Sequence, residues 1–153
     1  MLALVLTSLF PAVLSLPTAV EGGSRSRAEG VEWVVIGRPV GPAVRGSKAQ
    51  LEVEVTTRAG FHLNDDYPLN FRSKASSSAA FARPRIDRND GIIFERCRAD
   101  TAHSCIARIP VTFKPKVLGA VQVGGTVAFS ACDPDRCIIK KVDLTVPVQI
   151  SEQ

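Results

Sequence analysis

The chain has 153 residues, 45% hydrophobic and 22% charged, enough for one domain with its own core and hardly for two. The formal net charge of +4 is spread without a Lys/Arg block and with little aromatic interleaving, which speaks against a nucleic-acid binder and mildly favours acidic partners or an anionic surface. No Ser/His/Asp signature, phosphate-cradling glycine loop or dinucleotide fingerprint is present, so no small-molecule cofactor is expected.

Residues 1–20 carry no charge and are rich in Leu, Val and Ala. This predicts a secretory signal peptide with its apolar run over Leu2–Leu16 and cleavage after Ser15 or Ala19. Pro11 and Pro17 interrupt the run and disfavour a stable membrane-spanning helix; an uncleaved N-terminal anchor is the alternative. Export of a chain with four cysteines implies a periplasmic or secreted protein with disulfides, for which three pairings exist. Residues 21–30, rich in Gly, Ser and charge, read as a flexible leader to a domain spanning 31–150.

Val31–Ile36 is apolar on both parities and predicts a first strand, and Gly37–Gly46, with two Pro and three Gly, predicts a loop. Lys48–Thr57 predicts a strand with Leu51, Val53 and Val55 inward and Glu52 and Glu54 outward. Ala59-Gly60 turns the chain into a short strand from Phe61 that ends in an Asx-type turn before Pro68. Leu69–Phe71 is brief, Ser73–Ala80 a small-residue loop, Phe81–Ile86 a further strand and Asp87–Gly91 a turn. Gly91–Cys97 and Cys105–Phe113 form a hairpin around Arg98–Ser104, with Cys105, Ala107, Ile109, Val111 and Phe113 facing in. After a turn over Lys114–Gly119, Val121–Val123 leads through Gly124-Gly125, where a bulge or bend is expected. The last ribbon pairs Thr126–Ala131 with the alternating run through Val142, Leu144, Val146, Val148 and Ile150, joined by a polar Asp-Pro-Asp loop. Short strands at roughly 8–12-residue spacing, with almost no helical periodicity, predict an all-β sandwich.

Parity places the thiols of the last ribbon. Its apolar face carries Val127, Phe129, Val142 and Leu144, so Cys132 and Cys137 share the outward face side by side, within reach of a disulfide and of a partner. Two readings stay open. One is a static bridge over a short loop, worth ~2 kcal/mol through the unfolded state. The other is a reversible dithiol, whose thiol pKa Arg136, Lys140 and Lys141 would lower and Asp133 and Asp135 would raise. Cys97 and Cys105 read as a structural bridge within their hairpin. A zinc site completed by His103 is disfavoured, because the tight Cys-x2-Cys and His-x3-5-His spacings are missing. His62 reads as a strand residue bonded to a neighbouring loop rather than a base, Trp33 as core, and Asp65 and Asp66 as turn formers.

Ile106–Phe113, a turn ending in Gly119, then Thr126–Phe129 running into Cys132…Cys137 and Val142–Val148, resembles the N-terminal periplasmic domain of the DsbD thiol:disulfide interchange family. Gly60-Phe61-His62-Leu63 is similar to that domain's Gly-aromatic strand start. The similarity covers residues 31–148 and is most specific toward the C-terminal end. It implies an immunoglobulin-like sandwich in which Cys132 and Cys137 are the redox pair. The pair would relay electrons between a membrane-embedded or thioredoxin-like thiol protein and other periplasmic proteins, as a component of a protein-disulfide reductase system. It further implies Cys137 as the more exposed sulfur and Phe94, in Ile93-Phe94-Glu95-Arg96, as a cap residue shielding the disulfide. The competing expectation is a non-catalytic immunoglobulin-like binding or accessory domain with two static disulfides.

Overall fold

The computed structural model describes residues 24–64, 67–95, 97 and 105–152. The expected signal peptide, Asp65, Asp66 and His103 lie outside the described residues. The described chain is all strand, without a helix: β1 (Ser26–Glu29), β2 (Trp33–Val40), β3 (Ala43–Val44), β4 (Ala49–Thr57), β5 (His62–Leu63), β6 (Asn70–Ser73), β7 (Ala79–Phe81), β8 (Arg85–Asp87), β9 (Ile93–Glu95), β10 (Ile106–Pro115), β11 (Gly119–Cys132) and β12 (Cys137–Ser151).

Period-two alternation sorts these strands into two facing layers. In the first sheet the order is β1-β2-β4-β10-β7, with β9 also on β10; in the second it is β3-β12-β11-β6-β8, with β5 also on β11. Every pairing is antiparallel except β3 with β12. The fold is thus an antiparallel β-sandwich of immunoglobulin-like layering, as expected. Inward residues of β4 and β10, Leu51, Val53, Val55, Ile109, Val111 and Phe113, are fully buried against Val123, Val127, Phe129 and Val146 of the second sheet's long ribbon. Each such side chain contributes about 1.5–3 kcal/mol relative to exposure. Trp33 and Phe129 meet edge to face across the layers at 5.6 Å, anchoring β11 just before Cys132. The outward face of the first sheet carries a charge ladder in which Arg108 bonds Glu54 and Glu95 and Arg38 bonds Glu52.

Three expectations are corrected. Part of the expected leader forms the edge strand β1, pairing Ser26–Glu29 with Val34–Gly37. The expected loop at Gly37–Gly46 continues β2 as far as Val40, because the edge of β4 extends with it to the pair Val40–Gln50. At Gly124-Gly125 the register with β12 is unbroken, Gly124 opposite Thr145 and Gly125 opposite Leu144, so there is no bulge. The glycines serve close backbone approach instead. A Cβ on Gly124 would run into the Leu144 carbonyl, and one on Gly125 into the Arg72 carbonyl and the Phe71 ring.

Candidate functional site

The β11–β12 ribbon ends in a tight turn whose polar residues fold onto the backbone. The Asp133 carboxylate accepts hydrogen bonds from the backbone N–H of Asp135 at 2.9 Å and of Arg136 at 2.8 Å, while the Asp133 N–H donates to the Arg136 carbonyl at 2.9 Å. These bonds, foremost that from Asp135, hold the Asp133 pKa below the ordinary carboxylate value. Because Asp133 and Arg136 carry the backbone bond, the next pair, Cys132 and Cys137, falls at a non-hydrogen-bonded position, where facing Cα atoms approach most closely. Their Cα atoms are 4.0 Å apart and the sulfurs are bonded.

Both sulfurs lie on the outward face, as parity predicts, but they are not equally accessible. Cys137 is exposed, whereas Cys132 is only 3% exposed. The register supplies the reason. Cys132 is flanked by a strand on each side, Cys137 on β12 and His62 on β5. At Cys137, strand β12 has β11 on one side only, since β3 pairs with its far end. Of the two, Cys137 is thus the residue open to solvent, the one expected to be the more exposed. Cys132 is buried beneath lateral neighbours and is no part of the core between the sheets.

Two polar side chains complete the surroundings. The Asn64 amide donates to Cys137 Sγ at 3.6 Å, and its backbone N–H donates to the Ser130 carbonyl at 2.9 Å. The buried Ser130 hydroxyl lies 3.8 Å from Cys132 Sγ. Each donor is placed to stabilise a sulfur that carries negative charge after the S–S bond opens. Parity alone makes Ser130 a face-mate of Cys132 on β11. Asn64 has no such signal, because its position depends on the pairing of a two-residue strand with β11. His62 sits half-buried directly opposite Cys132, a strand residue as expected.

No family model and no curated protein matches this chain.

The second pair, Cys97 and Cys105, is bonded within the β9–β10 hairpin with Cα atoms 4.4 Å apart. Cys105 is wholly buried, and Cys97 packs against the core. The Thr57 hydroxyl donates to the Phe61 carbonyl at 2.7 Å and accepts from the Cys105 N–H at 2.9 Å, so one buried side chain ties this bridge to the turn that feeds β5. Phe94, expected as the shield, lies on β9 opposite Ala107 in the first sheet. Its ring packs against the core and carries the Arg88 guanidinium at 4.6 Å, and the pairing of β9 with β10 sets it in the sheet that does not bear Cys132 and Cys137. Among the described residues, no group of three or more His, Cys, Asp or Glu is arranged to hold a metal ion, and no helix is long and apolar enough to cross a membrane. Two disulfides are the mark of an oxidising compartment.

Proposed function

We propose that this chain is an exported thiol–disulfide exchange module working through Cys132 and Cys137, in the manner of the DsbD N-terminal domain that its sequence resembles. The observation that carries the reading is the asymmetry of the bridge: one sulfur open to solvent, the other buried beside a hydroxyl. Exchange needs access to a single sulfur, with a second thiol held ready to resolve. A partner thiolate attacks Cys137 Sγ along the S–S axis. The S–S bond breaks, and Cys132 leaves as a thiolate next to the Ser130 hydroxyl. The partner's second thiolate then attacks its own sulfur in the mixed disulfide and releases Cys137. The partner ends as a disulfide, and two electrons and two protons end on Cys132 and Cys137. The reverse sequence passes them on to a substrate disulfide. Thioredoxin-like or membrane-embedded thiol proteins in the periplasm are the fitting partners.

The test is trapping. A Cys132→Ser variant keeps the accessible thiol and loses the resolving one, so it should accumulate a mixed disulfide in vivo, while Cys137→Ser should accumulate far less. Absence of any adduct on Cys132→Ser would speak against exchange. The burial of Cys132 also favours a second reading, in which the ribbon bridge is static and the sandwich is a binding or accessory domain; equal absence of adducts in both variants is what that reading expects.

A further inference from the structure

A groove of about 430 Å³ opens on the outward face of the second sheet, between Tyr67 and the strands β6, β8, β11 and β12. Its floor is Ala128, whose small side chain sits between Asn70 on β6 and Lys141 on β12. Three cations line it: Arg72, Arg85 and Lys141. Arg85 is paired with Asp87 at 2.8 Å, and the neighbouring Asp143 accepts the Thr126 hydroxyl at 2.6 Å. Arg72 and Lys141 are exposed and make no ion pair among the described residues. Asp65 and Asp66 precede Tyr67 in the chain but lie outside the described residues. The same face carries Ala128, Ser130 and Cys132 in succession on β11, so the groove floor and the bridge are roughly 13 Å apart along one strand. An ordinary protein interface, about 800 Å² per partner, covers both at once.

We propose that this groove docks an acidic segment of the thiol protein that exchanges with Cys132 and Cys137. The proposal rests on the exchange reading and adds the chemistry of the partner's surface. Two unpaired cations beside a small-residue floor offer charge complementarity to Asp or Glu side chains, which steers encounter and fixes the orientation in which a partner sulfur meets Cys137.

The test uses the oxidised protein and two peptides with a Cys-Gly-Pro-Cys centre, one flanked by glutamates and one by lysines, with serine versions for binding alone. The acidic serine peptide should bind about tenfold or more tighter than the basic one at low salt, and the preference should vanish near ~1 M salt, where the Debye length falls to about 3 Å. The reduced acidic peptide should open the bridge correspondingly faster. Arg72→Glu/Lys141→Glu should abolish the preference while reduction by dithiothreitol stays unchanged. The milder Arg72→Gln/Lys141→Gln variant should halve it or more, which keeps the test valid if charge reversal disturbs folding. Equal binding of the two peptides, or a preference untouched by both variants, overturns the proposal. A bridge inert to dithiothreitol with the acidic preference intact overturns exchange instead and leaves the acidic-segment site standing.

Discussion

The bridges Cys97–Cys105, just outside the ends of β9 and β10, and Cys132–Cys137, at the paired ends of β11 and β12, span sequence separations of eight and five residues. Chain entropy treats them almost alike, at about 2.5 and about 2 kcal/mol. Their settings differ far more than their loops. Cys105 is wholly buried among Ala107, Ile109 and the rest of the core, with its N–H held by Thr57. Cys137 stands exposed at the end of a ribbon, with Asn64 as a hydrogen-bond donor to its sulfur. The comparison teaches that the two bridges differ in lateral cover and in the donors around each sulfur, the features that would separate a staple from an exchangeable pair under the proposed function. Spacing in the sequence carries little of it.

The comparison breaks most sharply by removing one bridge at a time. Cys105→Ala should cost about 2–5 kcal/mol in urea unfolding, since packing is lost along with the cross-link, while Cys137→Ala should cost no more than about 2 kcal/mol. Equal costs would mean that Cys105's burial adds nothing. Next comes Thr57→Val, which leaves the buried Cys105 N–H without its acceptor and frees the Phe61 carbonyl. It should cost about 1–3 kcal/mol and increase amide exchange around both Cys105 and β5. An effect confined to one of the two regions would show that Thr57 does not couple them. Smaller again is Asn64→Ala. Loss of one donor to the Cys137 sulfur, worth about 0.5–1.5 kcal/mol, should slow alkylation of the reduced protein at Cys137 by roughly two- to tenfold and leave Cys97 and Cys105 unaffected.

The smallest effect is in pH. Asp133 has a folded pKa below its ordinary value, so its contribution is fully present above that ordinary value and is lost as pH falls through the lowered one. Exchange protection of the Asp135 and Arg136 amides should persist to lower pH than an ordinary carboxylate allows, then fade. Asp133→Asn should remove that pH step, and an Asp133 that titrated at its ordinary value by NMR would contradict the turn described above.

Much of this contrast was legible in the residues. Parity alone put Cys105 on the core face of β10 and set Cys132 beside Cys137 on the outer face of the ribbon, because facing residues of an antiparallel pair share a side. It also fixed Leu51, Val53 and Val55 inward on β4. What it did not carry was the sideways neighbourhood. The pairing of His62 with Cys132 joins positions far apart in the chain through a strand too short for a periodic signal, so neither the burial of Cys132 nor the approach of Asn64 had a local signature. Gly124-Gly125 misled for a related reason. A glycine needed for close approach of backbone from another strand looks, in one chain, the same as a glycine needed for a bend. Phe94 was placed by resemblance alone, and nothing in its own hairpin specifies which sheet it serves.

The most direct measurement is a redox titration of the whole protein in buffered glutathione and dithiothreitol couples, read by mass after alkylation so that each bridge is followed separately. Cys132–Cys137 should reduce at a potential above roughly −250 mV, while Cys97–Cys105 should stay oxidised until the potential falls below roughly −300 mV. Both bridges opening together below roughly −300 mV would contradict this, leaving two staples in a sandwich that exchanges nothing.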